Sequence, residues 1–191
     1  MIIGITGGSG CGKTTLLNVI RDKGGLVLDC DAIYHELLKT DKAMLSAIGS
    51  RFPGVVEDGI LNRKKLGAIV FADEKALLDL NAITHAAVKK EVLRRLETNP
   101  RIAAIDAIGL FEGHLAELCD VTVAVTAPVE DRVKRLMQRD GISEEYARSR
   151  IAAQHSDDWF RERCGFILEN NSNLDAFATK CVDFLRNLDI I

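Results

Sequence analysis

Eight consecutive residues, Gly7-Gly8-Ser9-Gly10-Cys11-Gly12-Lys13-Thr14, fit the spacing GxxxxGK[ST]. Glycines let the backbone turn sharply enough for several N–H groups to point inward at an anion, and the start of a following helix adds partial positive charge. A lysine at the seventh place reaches the β- and γ-phosphates of a nucleotide, and a hydroxyl at the eighth ligates magnesium. The pattern lies between an apolar run over residues 2–6 and a helix-like segment beginning near Lys13, which is the strand–loop–helix setting it needs. The expected nucleotide contacts are Gly8, Gly10, Cys11, Gly12, Lys13, Thr14 and Thr15, with a nucleoside triphosphate and Mg2+ as the bound species. Cys11, close to Lys13 and a helix start, is expected to have a lowered thiol pKa; it is read first as a small residue filling a tight loop, with a redox-sensitive thiol as the alternative.

A phosphoryl donor needs an acceptor and a base. Leu28-Asp29-Cys30-Asp31 closes the second apolar run, a strand expected next to the glycine loop in a doubly wound sheet. Two carboxylates at i and i+2 of a strand point the same way. A carboxylate there would orient an attacking hydroxyl and take its proton. Asp31 is the expected base, with Asp29 supporting it or the metal; the alternative makes Asp31 the N-cap of a helix over 32–38. Asp106-Ala107-Ile108-Gly109 matches the DxxG element of switch GTPases, yet no NKxD-type guanine reader follows, since the last strand ends in Glu169-Asn170-Asn171. Asp106 is therefore read as a carboxylate near the magnesium, the alternative being a capping residue at a strand end. Arg132, Arg135, Arg139, Arg148, Arg150, Arg161 and Arg163 cluster in the last third. Guanidinium groups clamp the oxygens of a transferring phosphoryl group. Arg139 ranks first as a catalytic group because it ends the helix after the fourth strand; Arg150 ranks second.

The elements that must position these groups read as strands alternating with helices. Apolar runs at 1–5, 26–28, 102–105, 121–125 and 166–168 have the length and continuity of buried parallel strands. Helical periodicity is clearest at 14–23, 76–97, 129–139 and 173–188. This predicts an α/β fold with a five-stranded parallel sheet, whose ligands bind at the strands' carboxyl ends. Residues 40–95 carry no core strand and read as a helical insertion; residues 140–163, rich in charge, read as a lid. The nucleotide-binding core is then 1–39, 96–139 and 164–191. A net charge of −3 gives no basic footprint for nucleic acid. No apolar stretch approaches a membrane span. The five cysteines, odd in number and without metal or redox spacing, read as free thiols in a reducing cytoplasm. No signal segment is read at the start. His35, His114 and His155 lack metal-ligand spacing.

On these residues alone, a small-molecule kinase and a regulatory NTP-binding protein both stay open. The ordered set of segments narrows the choice. The loop followed by Leu28-Asp29-Cys30-Asp31-Ala32 resembles the dephospho-CoA kinase family, which has Asp-Ala-Asp there. Residues 62–71, beginning Asn62-Arg63-Lys64-Lys65 and ending in Phe71, are similar to that family's acceptor-domain signature, as is Leu80-Asn81-Ala82-Ile83-Thr84-His85. Leu110-Phe111-Glu112, Pro128, Arg135, Arg139-Asp140-Gly141, Arg150-Ile151-Ala152-Ala153-Gln154 and Asn170 fall at the family's third-strand, lid and last-strand positions. The chain departs from the family pattern at Ala86, Ile108, Gly109, Arg161, Cys164 and Gly165. The resemblance implies ATP as donor and the ribose 3′-hydroxyl of dephospho-CoA as acceptor, with coenzyme A and ADP as products. It implies acceptor contacts at Asp31, Arg63, Phe71, His85 and Asp106, nucleotide contacts at Arg150 and Asn170, and metal contacts at Thr14, Asp29 and Asp106. Nucleic-acid and membrane partners are not expected, and the chain is expected to be a monomer or weak homo-oligomer. A nucleoside- or shikimate-type kinase is the alternative on the same core.

Overall fold

The computed structural model describes residues 1–190. In chain order the elements are β1 (Ile2–Thr6), α1 (Lys13–Asp22), β2 (Leu26–Asp29), α2 (Cys30–Thr40), α3 (Lys42–Arg51), β3 (Val56–Glu57), β4 (Ile60–Leu61), α4 (Arg63–Val70) and α5 (Glu74–Leu96). There follow β5 (Ala103–Asp106), β6 (Val121–Thr126), α6 (Val129–Asp140), α7 (Glu144–Ala152), α8 (Asp157–Arg163), β7 (Phe166–Glu169) and α9 (Leu174–Asn187). They form two compact units. One holds Met1–Leu28, Pro100–Leu110 and the described chain from Ala116 onward; the other holds Asp29–Asn99 and Phe111–Leu115.

The first unit is built on the sheet, in strand order β2-β5-β1-β6-β7. The strand that carries the glycine loop is central. Ile2–Ile5 of β1 pair in parallel with Ala103–Asp106 of β5 on one side, and Ile3–Thr6 pair with Val121–Ala124 of β6 on the other. Continuous apolar composition fits a strand covered on both faces: Ile3, Ile5, Ala104, Val123 and Val125 are fully buried. Leu16, Leu17 and Ile20 of α1 recur at the spacing of one helical face and join these strands in a single cluster with Phe177, Cys181, Phe184 and Leu185 of α9. Burial of each such aliphatic side chain contributes about 1.5–3 kcal/mol relative to exposure. A satellite cluster of Val133, Leu136, Ala147 and Ile151 joins α6 to α7. Residues 140–163, expected as a lid, are two short helices, each started by a serine: Ser143 accepts from Tyr146 N and Ser156 from Trp159 N, both at 3.2 Å. The sequence reading put the tip of β2 beside the loop-bearing strand; in the sheet β5 stands between them.

The second unit is helical apart from the β3–β4 hairpin. α2, α3 and α4 pack on the long helix α5, burying Ile33, Leu37, Leu45, Ile48, Leu66, Val88 and Val92. Its helices begin where side-chain acceptors stand. Asp41 caps α3 through Ala43 N and Met44 N (2.9 Å each), Asn62 caps α4 through Lys65 N (3.0 Å), and Asp73 caps α5 through Lys75 N (2.9 Å).

Near the end of α5, Glu91 accepts from Arg94 at 2.7 Å and Arg95 at 2.8 Å. Hydrogen bonds from these two guanidinium groups lower its carboxyl pKa to about 2. A carboxylate whose folded pKa is depressed adds stability above its ordinary value, near 4.3 in an unfolded chain, and loses it as pH falls toward 2. Glu91→Gln should therefore lower thermal stability at pH 7 and leave it close to the parent at pH 2; melting curves across that range check it.

Candidate active site

The loop sits at the carboxyl end of β1, and its last glycine begins α1. Gly12 is the N-cap with φ +100°, and no side chain caps the helix. A residue with a Cβ would be strained at that φ, and the added carbon would collide with Asn170 Nδ2. With no side-chain cap, the first N–H groups of α1 are left for an anion. Lys13 Nζ donates to Gly7 O at 2.8 Å, so the ammonium lies back across the loop. Thr14 is exposed and Thr15 half-buried in the same first turn.

Four side chains from outside hold the loop by its polar atoms. Asn170, 6% exposed just after β7, donates through Nδ2 to Cys11 O at 2.9 Å. Arg132 Nε donates to Ser9 O at 3.0 Å, and Arg135 Nη1 to Gly10 O at 3.1 Å, both from α6. Gln154, just past α7, holds Ser9 twice: its Oε1 accepts from Ser9 N at 2.9 Å and its Nε2 donates to Ser9 Oγ at 2.8 Å. The same Oε1 accepts from Arg132 Nη2 at 3.0 Å. A cavity of about 220 Å³ is lined by Thr126, Ala127, Pro128, Asp157, Arg161, Glu169, Asn170 and Asn171, and two of these, Arg161 and Glu169, form an ion pair at 2.7 Å.

The sequence reading gathered Gly8, Gly10, Cys11, Gly12, Lys13, Thr14, Thr15 and Asn170, and the structure brings these together. The arginines divide differently. Arg139 pairs with Asp140 at 2.7 Å, and Arg150 reaches the same carboxylate at 2.8 Å. Among the described residues neither donates to the loop; Arg132 and Arg135 do. Arg132, Arg135 and Arg139 stand at i, i+3 and i+7 on one face of α6. α6 follows a strand parallel to β1, so its first two turns lie nearest the loop, and Arg139 is about 10 Å further along the axis. That spacing was visible in the sequence. The role of Gln154 was not, because it depends on packing across 145 residues.

Cys11 corrects an expectation. It is 1% exposed, and burial raises its thiol pKa, outweighing the nearby Arg132 and Lys13. It is not the activated thiol its neighbours in sequence suggested. None of the five cysteines is in a disulfide.

Asp106 ends β5 and is half-buried. In the second unit, Asp29 is the cap of α2, accepting from Ala32 N at 2.9 Å. Asp31 is therefore neither the cap nor on the strand: it lies exposed in the first turn of α2, and the strand alternation argued for the pair does not apply. Arg63 Nη2 is 3.4 Å from His35 Nδ1. Phe71, 88% exposed, follows α4, and His85 is half-buried on α5.

A glycine loop at the end of a central parallel strand, with a lysine and two hydroxyls opening the next helix, marks a P-loop nucleotide-binding fold. The dephospho-CoA kinase family model matches residues 1–176. The chain belongs to the dephospho-CoA kinase family. It is 35% identical over 181 residues to the dephospho-CoA kinase of Corynebacterium diphtheriae, covering 92% of this chain and 90% of that one. The crystal structure of TT1252 from Thermus thermophilus is similar at TM-score 0.82 and 32% identity, covering 98% of this chain and 97% of that one. The dephospho-CoA kinase from Campylobacter jejuni shares the fold, with TM-score 0.68 at 24% identity over 98% of this chain and 96% of that one.

Proposed function

We propose that this kinase transfers the γ-phosphoryl group of ATP to the ribose 3′-hydroxyl of dephospho-CoA, giving coenzyme A and ADP, with Asp31 taking the hydroxyl's proton. The observation that carries the nucleotide half is the loop itself, a turn with an uncapped helix start and Lys13 lying across it. Family membership over residues 1–176 supports the acceptor. Lys13 would move from the Gly7 carbonyl to the β- and γ-phosphates, and the loop N–H groups would hold their oxygens. The cavity beside Asn170 would take the nucleotide's base. Arg150 and Arg139 would reach the phosphates once released from Asp140.

Magnesium, when bound, would supply positive charge against the charge developing on the transferring phosphoryl group. The residues fit it: Thr14 offers an exposed hydroxyl and Asp106 a strand-end carboxylate, and magnesium commonly takes only one or two protein oxygens beside phosphate and water. Asp29 is a third candidate, with one oxygen already engaged by Ala32 N. Residues 40–95, with Arg63, Phe71 and His85, would bind the acceptor, and 140–163 would act as the lid that keeps water from the phosphoryl group. Among the described residues no helix is long and apolar enough to cross a membrane. A cytoplasmic monomer or weak homo-oligomer fits this reading.

An ADP-release assay with dephospho-CoA, shikimate and nucleosides in parallel tests it. Rapid release with dephospho-CoA alone, and a new phosphate resonance assigned to the ribose 3′-position, is the expected result. Release with another alcohol instead, or slow hydrolysis indifferent to any acceptor, would overturn it.

A further inference from the structure

The arginines of the last third fall into two electrostatic classes. Arg139, Arg148, Arg150, Arg161 and Arg163 each have a carboxylate partner at 2.7–3.2 Å. Among the described residues, Lys13, Arg132 and Arg135 have none within 4.0 Å, and each donates to a loop carbonyl instead, of Gly7, Ser9 and Gly10 respectively. Arg132 is the extreme case. It is 4% exposed, and its hydrogen-bond partners, Ser9 O and Gln154 Oε1, are both neutral. Its guanidinium lies flat against the loop: a Cβ on Gly8 would collide with Nη2. A buried cation without a counter-ion is costly unless something else repays it. Well-packed neutral residues would brace the loop without that cost, so bracing alone does not account for a full charge here.

We infer that Arg132 is a fixed counter-charge for the polyphosphate, acting from behind the loop, and that the neutral amide of Gln154 is the positioning group that keeps this charge uncompensated. The inference rests on the loop being the ATP site. Gln154 satisfies Arg132 and both polar groups of Ser9 at once, without supplying the negative charge that a carboxylate of the same shape would. Arg132 gains its ionic partner only when phosphate arrives. The nearest loop charges add to the effect: Lys13 and Arg135 have the same sign, and Asp157, the one carboxylate that acts on Cys11, opposes it.

Gln154→Glu separates charge from shape. The carboxylate can accept from Ser9 N, from Arg132 and from the Ser9 hydroxyl, so every contact has a counterpart while the charge of Arg132 is cancelled. Gln138→Glu, on the exposed side of α6, controls for net charge. Dissociation constants of adenosine, AMP, ADP and ATP are measured by calorimetry on the full chain, with a melting temperature for each variant. Gln154→Glu should leave adenosine binding as in the parent and the melting temperature of the free chain no lower, with a loss that grows with phosphate number to roughly tenfold for ATP. An equal loss for all four ligands, no loss, or the same loss in Gln138→Glu would overturn the inference. If the parent chain itself fails to bind ATP, the functional reading of the loop falls first, and this inference with it.

Discussion

Asp31→Asn should lower the turnover of dephospho-CoA by about 10²–10⁴-fold, the usual contribution of a positioned base, while leaving the ATP dissociation constant close to the parent. The amide keeps the size of the carboxylate but cannot accept the proton that leaves the ribose hydroxyl. The fold has no reason to change. Asp31 is exposed, and α2 is started by Asp29, whose bond to Ala32 N is untouched. Asp29→Asn is the matched comparison, because asparagine caps a helix about as well as aspartate. Steady-state turnover and calorimetric ATP binding, run on both variants, divide chemistry from binding. An Asp31→Asn enzyme with turnover near the parent would remove this residue from the reaction, whatever the acceptor.

The second large effect is on stability. Gly7→Ala should cost about 3 kcal/mol and lower the melting temperature by roughly 6–12 °C for a chain of this size. Gly7 has φ +128°, where a side chain is strained, and its added Cβ would strike Val125 O. That oxygen cannot retreat: Val125 is fully buried in β6, paired in register with Leu168 of β7. Gly24 supplies the control. It also has positive φ, at +77°, but a Cβ there meets nothing within 4 Å. Gly24→Ala should cost only the backbone penalty, about 1 kcal/mol. Thermal melts of the two variants side by side test the distinction, and equal shifts would show that the clash with β6 is not what matters.

What could be read from the residues follows from how local each cause is. The loop is a run of eight residues whose sharp turns are permitted by its own glycines, so motif and structure agree. The five core strands were legible as short continuous apolar runs; burial on both faces accounts for β1, β5 and β6, while the edge strands β2 and β7 are only partly covered. The β3–β4 hairpin turns on Asp58-Gly59, both at positive φ, a strong short-range signal that went unread because the strands are only two residues each. The carboxylates at the end of β2 were misplaced because the helix starts two residues earlier than expected. The helix begins at Cys30, so Asp29 became the cap and Asp31 a first-turn residue. Strand order was the other failure. β5 lies between β1 and β2 although it follows them by about seventy residues, and nothing in a local pattern encodes that insertion. Likewise, Arg132 and Gln154 meet Ser9 across 123 and 145 residues. Their types hinted at phosphate chemistry; their pairing is a product of tertiary packing.

The central place of β1 has a consequence for how the chain is made. β1 leaves the ribosome well before either of its neighbours: Ile2 pairs with Ala103 and Ile3 with Val121. At typical rates of synthesis, about 6–24 s pass before both neighbours exist. The face of α1 then waits longer still for Phe184 and Leu185 of α9. Through that interval the β1 segment, apolar along its length, has no mate of its own. The phosphate loop, held by Arg132, Gln154 and Asn170, acquires its form only once those residues have been translated.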